Sequence, residues 1–394
     1  MNIRQFNSGG ITNMKTVCWL IIFFVTIFFQ MISVLPCAFA TASSPYPSSS
    51  IIKIIEFDVT SHIRKAPGSD NWPVTWGDDG HIYTSWGDGG GFGGTNSDGR
   101  VSLGVARVEG GKVNYSGYNV WGGKNTDNPA QFGGKSYGII SVDGILYMWW
   151  GPGSNTYVYN QTRLLKSIDH GATWTKSNWD FTDIDSSLIM PTICNFGRDY
   201  SGARDNYVYH YFIRKQGNPS SLGVHKPGKI DLARVHKDSM MDQSTYEFFA
   251  GLDNTGNPIW TSQAINRVSV FEDSEGVGWN LSVSYNPGID RYLLMTEHTN
   301  SFQGNLGIFD APEPWGPWTT IGYYNNWEDF GSNFFWNFSN KWLSDNGTSF
   351  VLVFTGIGEN DSWNTIEGNL TLSSQSAQDE ENLLPPKDVR VLEE

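Results

Sequence analysis

The stretch GIISVDGILYMWW, Gly138–Trp150, consists of a short strand, a turn that contains an aspartate, and a strongly apolar second strand. Four other segments have the same layout: Val74–Trp86, Thr192–Phe212, Ser282–Thr296 and Phe338–Thr355. The five turn aspartates are 64, 62, 85 and 55 residues apart, at Asp79, Asp143, Asp205, Asp290 and Asp345. A repeat of this length with several strands per unit is typical of a β-propeller, so the pattern predicts five blades.

The remaining strands of each repeat can be located around these hairpins. A third strand follows the hairpin at Val101–Val108, Lys229–Lys237 and Leu306–Ala311. The last repeat lacks a fourth strand after Asn364–Leu372, whereas a strand-like segment, Ile51–Val59, precedes the first hairpin. A strand from the N-terminal end that closes the last blade would cover the edge that an open ring leaves. We therefore predict an all-β fold, a single five-bladed β-propeller domain over residues 51–372, with this strand in its last blade.

A separate motif indicates the same fold class. Ser167–Trp174, SIDHGATW, fits the pattern S-x-D-x-G-x-T-W and resembles the Asp-box turn between the third and fourth strands of sialidase-like propellers. Asp169 can fix such a turn by accepting hydrogen bonds from backbone amides, and Gly171 supplies its unusual φ. A sialidase would need a clamp of three arginines, and usually several such turns and six blades. The motif therefore predicts a fold and not that activity.

The two ends of the chain differ in composition from the repeats. Residues 1–40 contain two cations, the apolar run Val17–Phe29 and a possible cleavage site at Cys37–Ala40, which predicts a secretory signal peptide. An uncleaved membrane anchor is the alternative, although the apolar run is short for a span. We expect residues 41–50 to be a linker and residues 373–394, which are polar and acidic, to be a disordered tail. The predicted location is secreted, periplasmic or cell-surface.

The composition limits the classes of partner that we expect the protein to bind. The chain has 40 acidic and 26 basic residues and a net charge of −14, which argues against nucleic acid and anionic membranes. Cys194 is the one cysteine outside the signal region, so the mature chain can form no intrachain disulfide. The sequence shows no zinc, nucleotide or serine-hydrolase motif. We expect a monomer without cofactor or metal, whose partner is a polysaccharide that its tryptophans can contact.

Propeller topology predicts which residues meet at a binding site. The start of each inner strand and the end of each second strand lie on one face of the ring, around the central depression in which propellers usually bind ligands. On this face we expect Asp70 and Asp88, and also Lys135, which receives no role at this stage. We predict substrate contacts from eleven further residues: Asn71, Trp72, Trp86, Tyr137, Trp150, Arg214, Asn280, Glu297, His298, Trp336 and Asn337.

Asp70 and Asp88 open and close the same hairpin, so both emerge from one blade on this face. Glycoside hydrolysis needs two carboxyl groups, one to protonate the leaving oxygen and one to attack the sugar or activate water. The pair is therefore a candidate for this chemistry. We expect Asp88 to be the acid, because its sequence neighbours Trp86 and Phe92 could exclude water from it.

Spacing alone leaves other interpretations open. An aspartate before asparagine or glycine is common in ordinary turns. A polysaccharide lyase that acts on a uronate would need a tyrosine or histidine base and a charge neutraliser, for which Tyr137, His298 and Arg214 are candidates. A propeller that binds carbohydrate without catalysis is the third possibility.

Several blocks, in one order along the chain, resemble a known family. They are Asp70–Phe92, Ser167–Trp174, Ala233–Gly251, Val283–His298 and Asp361–Leu372. They resemble the former domain of unknown function 4185, now glycoside hydrolase family 183. The resemblance implies a five-bladed propeller that cleaves internal bonds of D-arabinan with two aspartates, one before the first inner strand and one after the next strand. Asp70 and Asp88 hold those positions here, in a stretch unusually rich in glycine. Retention or inversion stays open, since it depends on the carboxylate separation.

Overall fold

The strands form five sheets, which are the five blades of a propeller. The computed structural model describes residues 43–152, 161–215, 222–356 and 361–373. The predicted fold class is confirmed. The predicted signal peptide, residues 1–40, and the tail beyond residue 373 lie outside the described residues. Within the described ranges, no helix is long and apolar enough to cross a membrane.

Blades one, two and four are four-stranded antiparallel sheets, with the first strand of each innermost. Blade one contains β2 (Val74–Trp76), β3 (Ile82–Trp86), β4 (Gly104–Gly110) and β5 (Tyr115–Trp121). Blade two contains β6 (Lys135–Val142), β7 (Ile145–Gly151), β8 (Arg163–Ser167) and β9 (Thr175–Lys176). Blade four contains β16 (Ser282–Asn286), β17 (Arg291–Glu297), β18 (Leu306–Ala311) and β19 (Thr319–Tyr324). Each hairpin that the sequence predicted in these blades is present.

Blade three is larger than the repeat pattern predicts. It contains β10 (Leu188–Ile193), β11 (Tyr207–Arg214), β12 (Gly228–His236), β13 (Glu247–Leu252), β14 (Pro258–Thr261) and β15 (Ser269–Asp273). Both β13 and β15 pair with β12, so two short strands share the position that one fourth strand occupies elsewhere. Among the described residues, short 3-10 turns lie at Phe181–Asp183, Lys237–Ser239, Gln243–Thr245, Ala264–Asn266, Trp327–Asp329 and Asn340–Trp342.

Blade five is closed by the N-terminal strand, as predicted. β1 (Ile52–Lys65) pairs with β22 (Trp363–Leu372), outside β21 (Ser349–Gly356) and the inner strand β20 (Asn333–Phe338). β1 runs six residues beyond the predicted Val59. The residues just before it are also bonded, because Ser49 N donates to the Thr320 carbonyl oxygen at 2.9 Å. The start of the chain's described part therefore joins blade five to blade four.

The core lies along the inner strands, where neighbouring blades meet. Every residue of β6, β10, β16 and β20 is buried. Strands covered on both faces contain nearly continuous apolar runs instead of alternating apolar and polar residues, which explains sequences such as GIISV in β6. Complete burial of one large apolar side chain contributes about 1.5–3 kcal/mol, so these contacts provide much of the stability of the propeller.

Candidate active site

The mouth of the first hairpin brings Asp70 next to the strand that leads to Asp88. Asp70 N donates to the Gly87 carbonyl oxygen at 2.9 Å, and Gly87 N donates to the Asp70 carbonyl oxygen at 2.8 Å. These two bonds extend the ladder between β2 and β3 beyond its last regular pair, Val74 and Thr84. The pairing places Asp70 directly opposite Gly87, one residue from Asp88.

The backbone at Asp88 changes the direction of its side chain. Successive side chains of a regular strand point to opposite faces, so Asp88 would point away from the face that Asp70 and Gly87 share. Asp88 instead has φ of 55°, in the left-handed region. Its Oδ2 forms an ion pair with Lys135 Nζ, and its Oδ1 is 3.7 Å from Arg100 Nη2. Two cations therefore contact this carboxylate.

Gly87 is required at the centre of this arrangement. A Cβ atom at position 87 would lie 2.5 Å from Asp70 Oδ1 and 3.1 Å from Lys135 Nζ. The first distance is shorter than real Cβ atoms show, and the second is tighter than most Cβ contacts. The bare α-carbon of Gly87 is what allows the Asp70 carboxyl group and the Lys135 ammonium to approach the same point of the backbone.

Asp70 has the opposite environment from Asp88. The residue is half-buried, but its Oδ1 is fully buried and has no hydrogen-bond partner among the described residues. Burial raises the pKa of Asp70 to about 7; Lys135 opposes this shift, whereas Asp361 and Asp88 add to it. At pH values below about 7 the carboxyl group is therefore mainly protonated and can donate a proton.

This asymmetry contradicts our expectation that Asp88 is the desolvated acid. The expectation relied on Trp86 and Phe92, whose rings pack against Trp72 inside blade one. Asp88 is ion-paired, whereas Asp70 has the buried oxygen without a partner. Sequence proximity to aromatic residues did not predict which carboxyl group loses water.

Two charged residues of the site were missed at the sequence level. Asp361 is half-buried, and its carbonyl oxygen accepts a hydrogen bond from Gly68 N at 2.5 Å. Burial raises the pKa of Asp361, as does the nearby Asp88, while Lys135 lowers it. Asp361 and Arg100 both precede a third strand of a blade, β22 or β4. Third strands begin on the same face as inner strands, so the residues just before each third strand were also candidates for the site.

Three predicted sugar-binding residues around blade one are buried. Trp72 and Trp86 are both 0% exposed and stack on each other with ring centroids 5.7 Å apart. Asn71 is also 0% exposed; its N–H donates to Thr355 Oγ1 at 3.0 Å and its Nδ2 donates to the Ser136 carbonyl oxygen at 2.5 Å. We assign these three side chains to packing and to the contacts between blades.

Arg214 and His298 are engaged in contacts of their own. Arg214 Nε donates to Asp231 Oδ2 at 2.7 Å, and the fully buried Asp231 also pairs with Arg267. His298 Nε2 donates to the Tyr324 carbonyl oxygen at 3.0 Å, and its Nδ1 is 2.9 Å from the Thr299 hydroxyl. Burial lowers the pKa of His298 to about 4, so the imidazole is neutral at physiological pH. Neither residue offers a free charged group to a ligand.

Glu297 and Asn280 form a second polar group, at the mouth of blade four. Glu297 is fully buried; its Oε1 accepts from Phe302 N at 2.6 Å, and its Oε2 has no hydrogen-bond partner within the described ranges. Burial raises the pKa of Glu297 to about 8. Asn280 is 1% exposed, and neither its Oδ1 nor its Nδ2 has a partner in the described residues.

The other predicted contacts are also buried. Trp150 Nε1 donates to the Gly133 carbonyl oxygen at 2.9 Å. Trp336 Nε1 donates to Asn333 Oδ1 at 3.1 Å, and Asn337 Nδ2 donates to the Trp72 carbonyl oxygen at 3.3 Å. Tyr137 is 1% exposed. The structure thus brings Asp70 and Asp88 together, while the predicted aromatic contacts are part of the core.

The described residues form no cluster that suits a metal ion. Within the described part of the chain, no group of three or more histidine, cysteine, aspartate or glutamate side chains is arranged to hold a metal ion. The carboxyl groups of Asp70, Asp88 and Asp361 instead interact with a lysine, Lys135, which forms an ion pair with Asp88.

Comparison with known proteins identifies a family and distant structural relatives. The family model described as Domain of unknown function (DUF4185) matches residues 133–332. No curated protein matches the chain. A thermostable family-43 glycoside hydrolase is 15% identical with a TM-score of 0.44, over 85% of this chain and 96% of that one. The endo-arabinase from Bacteroides thetaiotaomicron is 13% identical with a TM-score of 0.42, over 84% and 99% of the two chains. These structural likenesses are too distant to bear on activity.

Proposed function

The chain belongs to the family described as Domain of unknown function (DUF4185), and we propose that it is an exported glycoside hydrolase that cleaves internal bonds of D-arabinan. The observation that carries the hydrolase proposal is the asymmetric pair at the mouth of blade one. One carboxyl group is desolvated, with its pKa raised to about 7, and the other is in contact with two cations. The choice of D-arabinan rests on the resemblance of the sequence blocks described above.

In this proposal Asp70 is the general acid. Its proton passes to the glycosidic oxygen as the bond to the leaving sugar breaks. The raised pKa of Asp70, about 7, keeps that proton in place at neutral pH. A carboxyl group with an ordinary pKa would be ionised at that pH and could not donate.

Asp88 is the second carboxyl group. Its carboxylate contacts Lys135 and Arg100, and it attacks the anomeric carbon or takes a proton from the attacking water. The two routes give opposite stereochemistry at the anomeric carbon. The configuration of the first product therefore distinguishes them.

The lyase alternative loses two of the three residues on which it depended, Arg214 and His298. A uronate lyase needs a cation at the substrate carboxylate, but Arg214 is bonded to Asp231. His298, the candidate base, has both nitrogens in contacts within the protein. The cluster of three carboxyl groups beside Lys135 would also repel a uronate. We therefore favour a neutral polysaccharide as the substrate.

The proposal is tested by incubating the mature chain with D-arabinan and with a panel of neutral and uronate-containing polysaccharides. We expect new reducing ends and a rapid fall in polymer length from D-arabinan, as internal cleavage requires. Products that absorb in the ultraviolet as unsaturated uronates would establish the lyase instead. Binding without any product from the whole panel would leave a carbohydrate-binding propeller and refute the enzyme.

A further inference from the structure

Lys135 lies where three blades meet. It begins β6 of blade two, forms an ion pair with Asp88 of blade one, and interacts electrostatically with Asp361 of blade five. Its side chain is 2% exposed, so water screens its charge poorly. One buried charge therefore acts at short range on carboxyl groups from two other blades.

We propose that Lys135 is a positioning residue that determines which aspartate of the pair carries the proton. This inference rests on the proposed function, and it gives Lys135 no contact with the substrate. The ammonium neutralises Asp88 and leaves Asp70 Oδ1 without a partner among the described residues. The proton is then held by Asp70. Without the cation, neighbouring carboxylates would compete for the available protons.

The space around Gly87 explains how one cation acts on both aspartates. A Cβ atom at position 87 would lie 2.5 Å from Asp70 Oδ1 and 3.1 Å from Lys135 Nζ. The two groups therefore approach the same α-carbon. The ion pair is nevertheless made with Asp88, whose left-handed backbone turns its carboxylate towards the ammonium. Lys135 therefore distinguishes two aspartates that a symmetric site would leave equivalent.

The other charged groups of the cluster differ in their exposure to water. Asp361 adds a half-buried negative charge on the blade-five side. Arg100 approaches the other oxygen of Asp88 at 3.7 Å, but its side chain is 44% exposed, and solvent screens it. Arg100 is thus a matched control: it is a cation near the same carboxylate, but its electrostatic effect on that carboxylate is weaker.

The test compares Lys135→Met and Lys135→Gln, which remove the charge, with Lys135→Arg, which keeps it, and with Arg100→Gln. In the first two variants we expect both limbs of the pH profile of kcat/KM on D-arabinan to move to higher pH by about one unit or more, because a cation is lost near two acids. Lys135→Arg should retain the normal profile, and Arg100→Gln should shift it much less. A fall in kcat with both limbs unmoved would overturn the proposal.

A measurement that does not depend on turnover separates this inference from the proposed function. Carbon-13 NMR of aspartate-labelled protein, assigned with Asp70→Asn and Asp88→Asn, follows each carboxyl group as pH changes. We expect the titrations to shift upwards in Lys135→Gln, even if D-arabinan is not a substrate. Unchanged titrations in a variant with native circular dichroism would refute the role of Lys135, whatever the enzyme hydrolyses.

Discussion

The mouths of blades one and four occupy equivalent places in the fold, and each contains a carboxyl group with a raised pKa. Asp70 in blade one has a pKa of about 7, and Glu297 in blade four has a pKa of about 8. Asp70 is half-buried beside a buried lysine and a second aspartate, Asp88, with which that lysine forms an ion pair. Glu297 is fully buried, and within the described residues it has no cationic partner.

The difference shows that a raised pKa alone does not identify a catalytic acid. Burial accounts for the shift in both mouths, as it would for any carboxyl group removed from water. Blade one adds a second carboxyl group, Asp88, which is ion-paired with Lys135, and an acid that is not wholly enclosed. Catalysis requires both, because one group must give a proton and the other must accept one or attack. We therefore expect changes in blade one to affect turnover and changes in blade four to affect stability.

The largest expected effect is the loss of either member of the aspartate pair. Asp70→Asn removes the proton donor, and Asp88→Asn removes the second carboxyl group. Each change should therefore lower kcat on D-arabinan by about a hundredfold to ten-thousandfold. Circular dichroism should show the native fold in both variants. Near-normal turnover in either variant would show that this residue is not catalytic. The difference drawn here between the mouths of blades one and four would then be wrong.

Gly87→Ala is expected to lower kcat by less than the loss of either aspartate does. The new methyl group would displace the Asp70 carboxyl group and the Lys135 ammonium, which lie 2.5 Å and 3.1 Å from its position. A misplacement of about 1 Å can cost on the order of a hundredfold in rate, so we expect kcat to fall about tenfold to a hundredfold. Gly111→Ala is the matched control, since nothing lies within 4 Å of the corresponding methyl group. Equal kinetics in the two variants would show that the close approach at Gly87 is unimportant.

The pH dependence of the wild-type protein provides the next test. Activity requires protonated Asp70, so kcat/KM should decline as pH rises through the pKa of about 7. Each further pH unit above it should reduce the rate about tenfold. Replacing Asp361 by asparagine removes a charge that raises the pKa of Asp70, so the decline should begin at lower pH. If kcat/KM declines from the same pH in the variant as in the wild type, Asp361 does not influence the pKa of Asp70.

The smallest effect on turnover is expected from Glu297→Gln. Glutamine resembles the neutral glutamic acid present below pH 8, so kcat should stay within about threefold of the wild type. The pKa of Glu297 is raised from 4.5 to about 8, so its contribution to stability is complete below about pH 4.5 and is lost as pH rises through 8. Urea unfolding at pH 5 and pH 9 should therefore show a weaker pH dependence in the variant. A large loss of kcat would instead restore Glu297 as a substrate contact.

The ring, its hairpins and its closure were predictable from the sequence because they follow from a repeat and from one unpaired strand. The shared fourth position of blade three was not, since it arises from an additional strand, β15, which pairs with β12 beside β13 and has no counterpart in the repeat pattern. Asp70 and Asp88 were placed by topology. Their roles were not, because φ at Asp88 and the burial of Asp70 Oδ1 are tertiary properties. The tryptophans at strand ends were assigned to sugar binding, but a sequence does not show which way such a ring faces.

Ring closure also has a consequence for protein synthesis. The hydrogen bond from Gly68 N to the Asp361 carbonyl oxygen joins the residues just after β1 to those just before β22, and these two strands pair with each other. Among the described strands, the first to be synthesised must therefore wait for the last. Until then the carboxyl cluster lacks Asp361, and β1 lacks the strand with which it pairs. A chain that stops before Asp361 therefore has neither a closed blade five nor a complete carboxyl cluster.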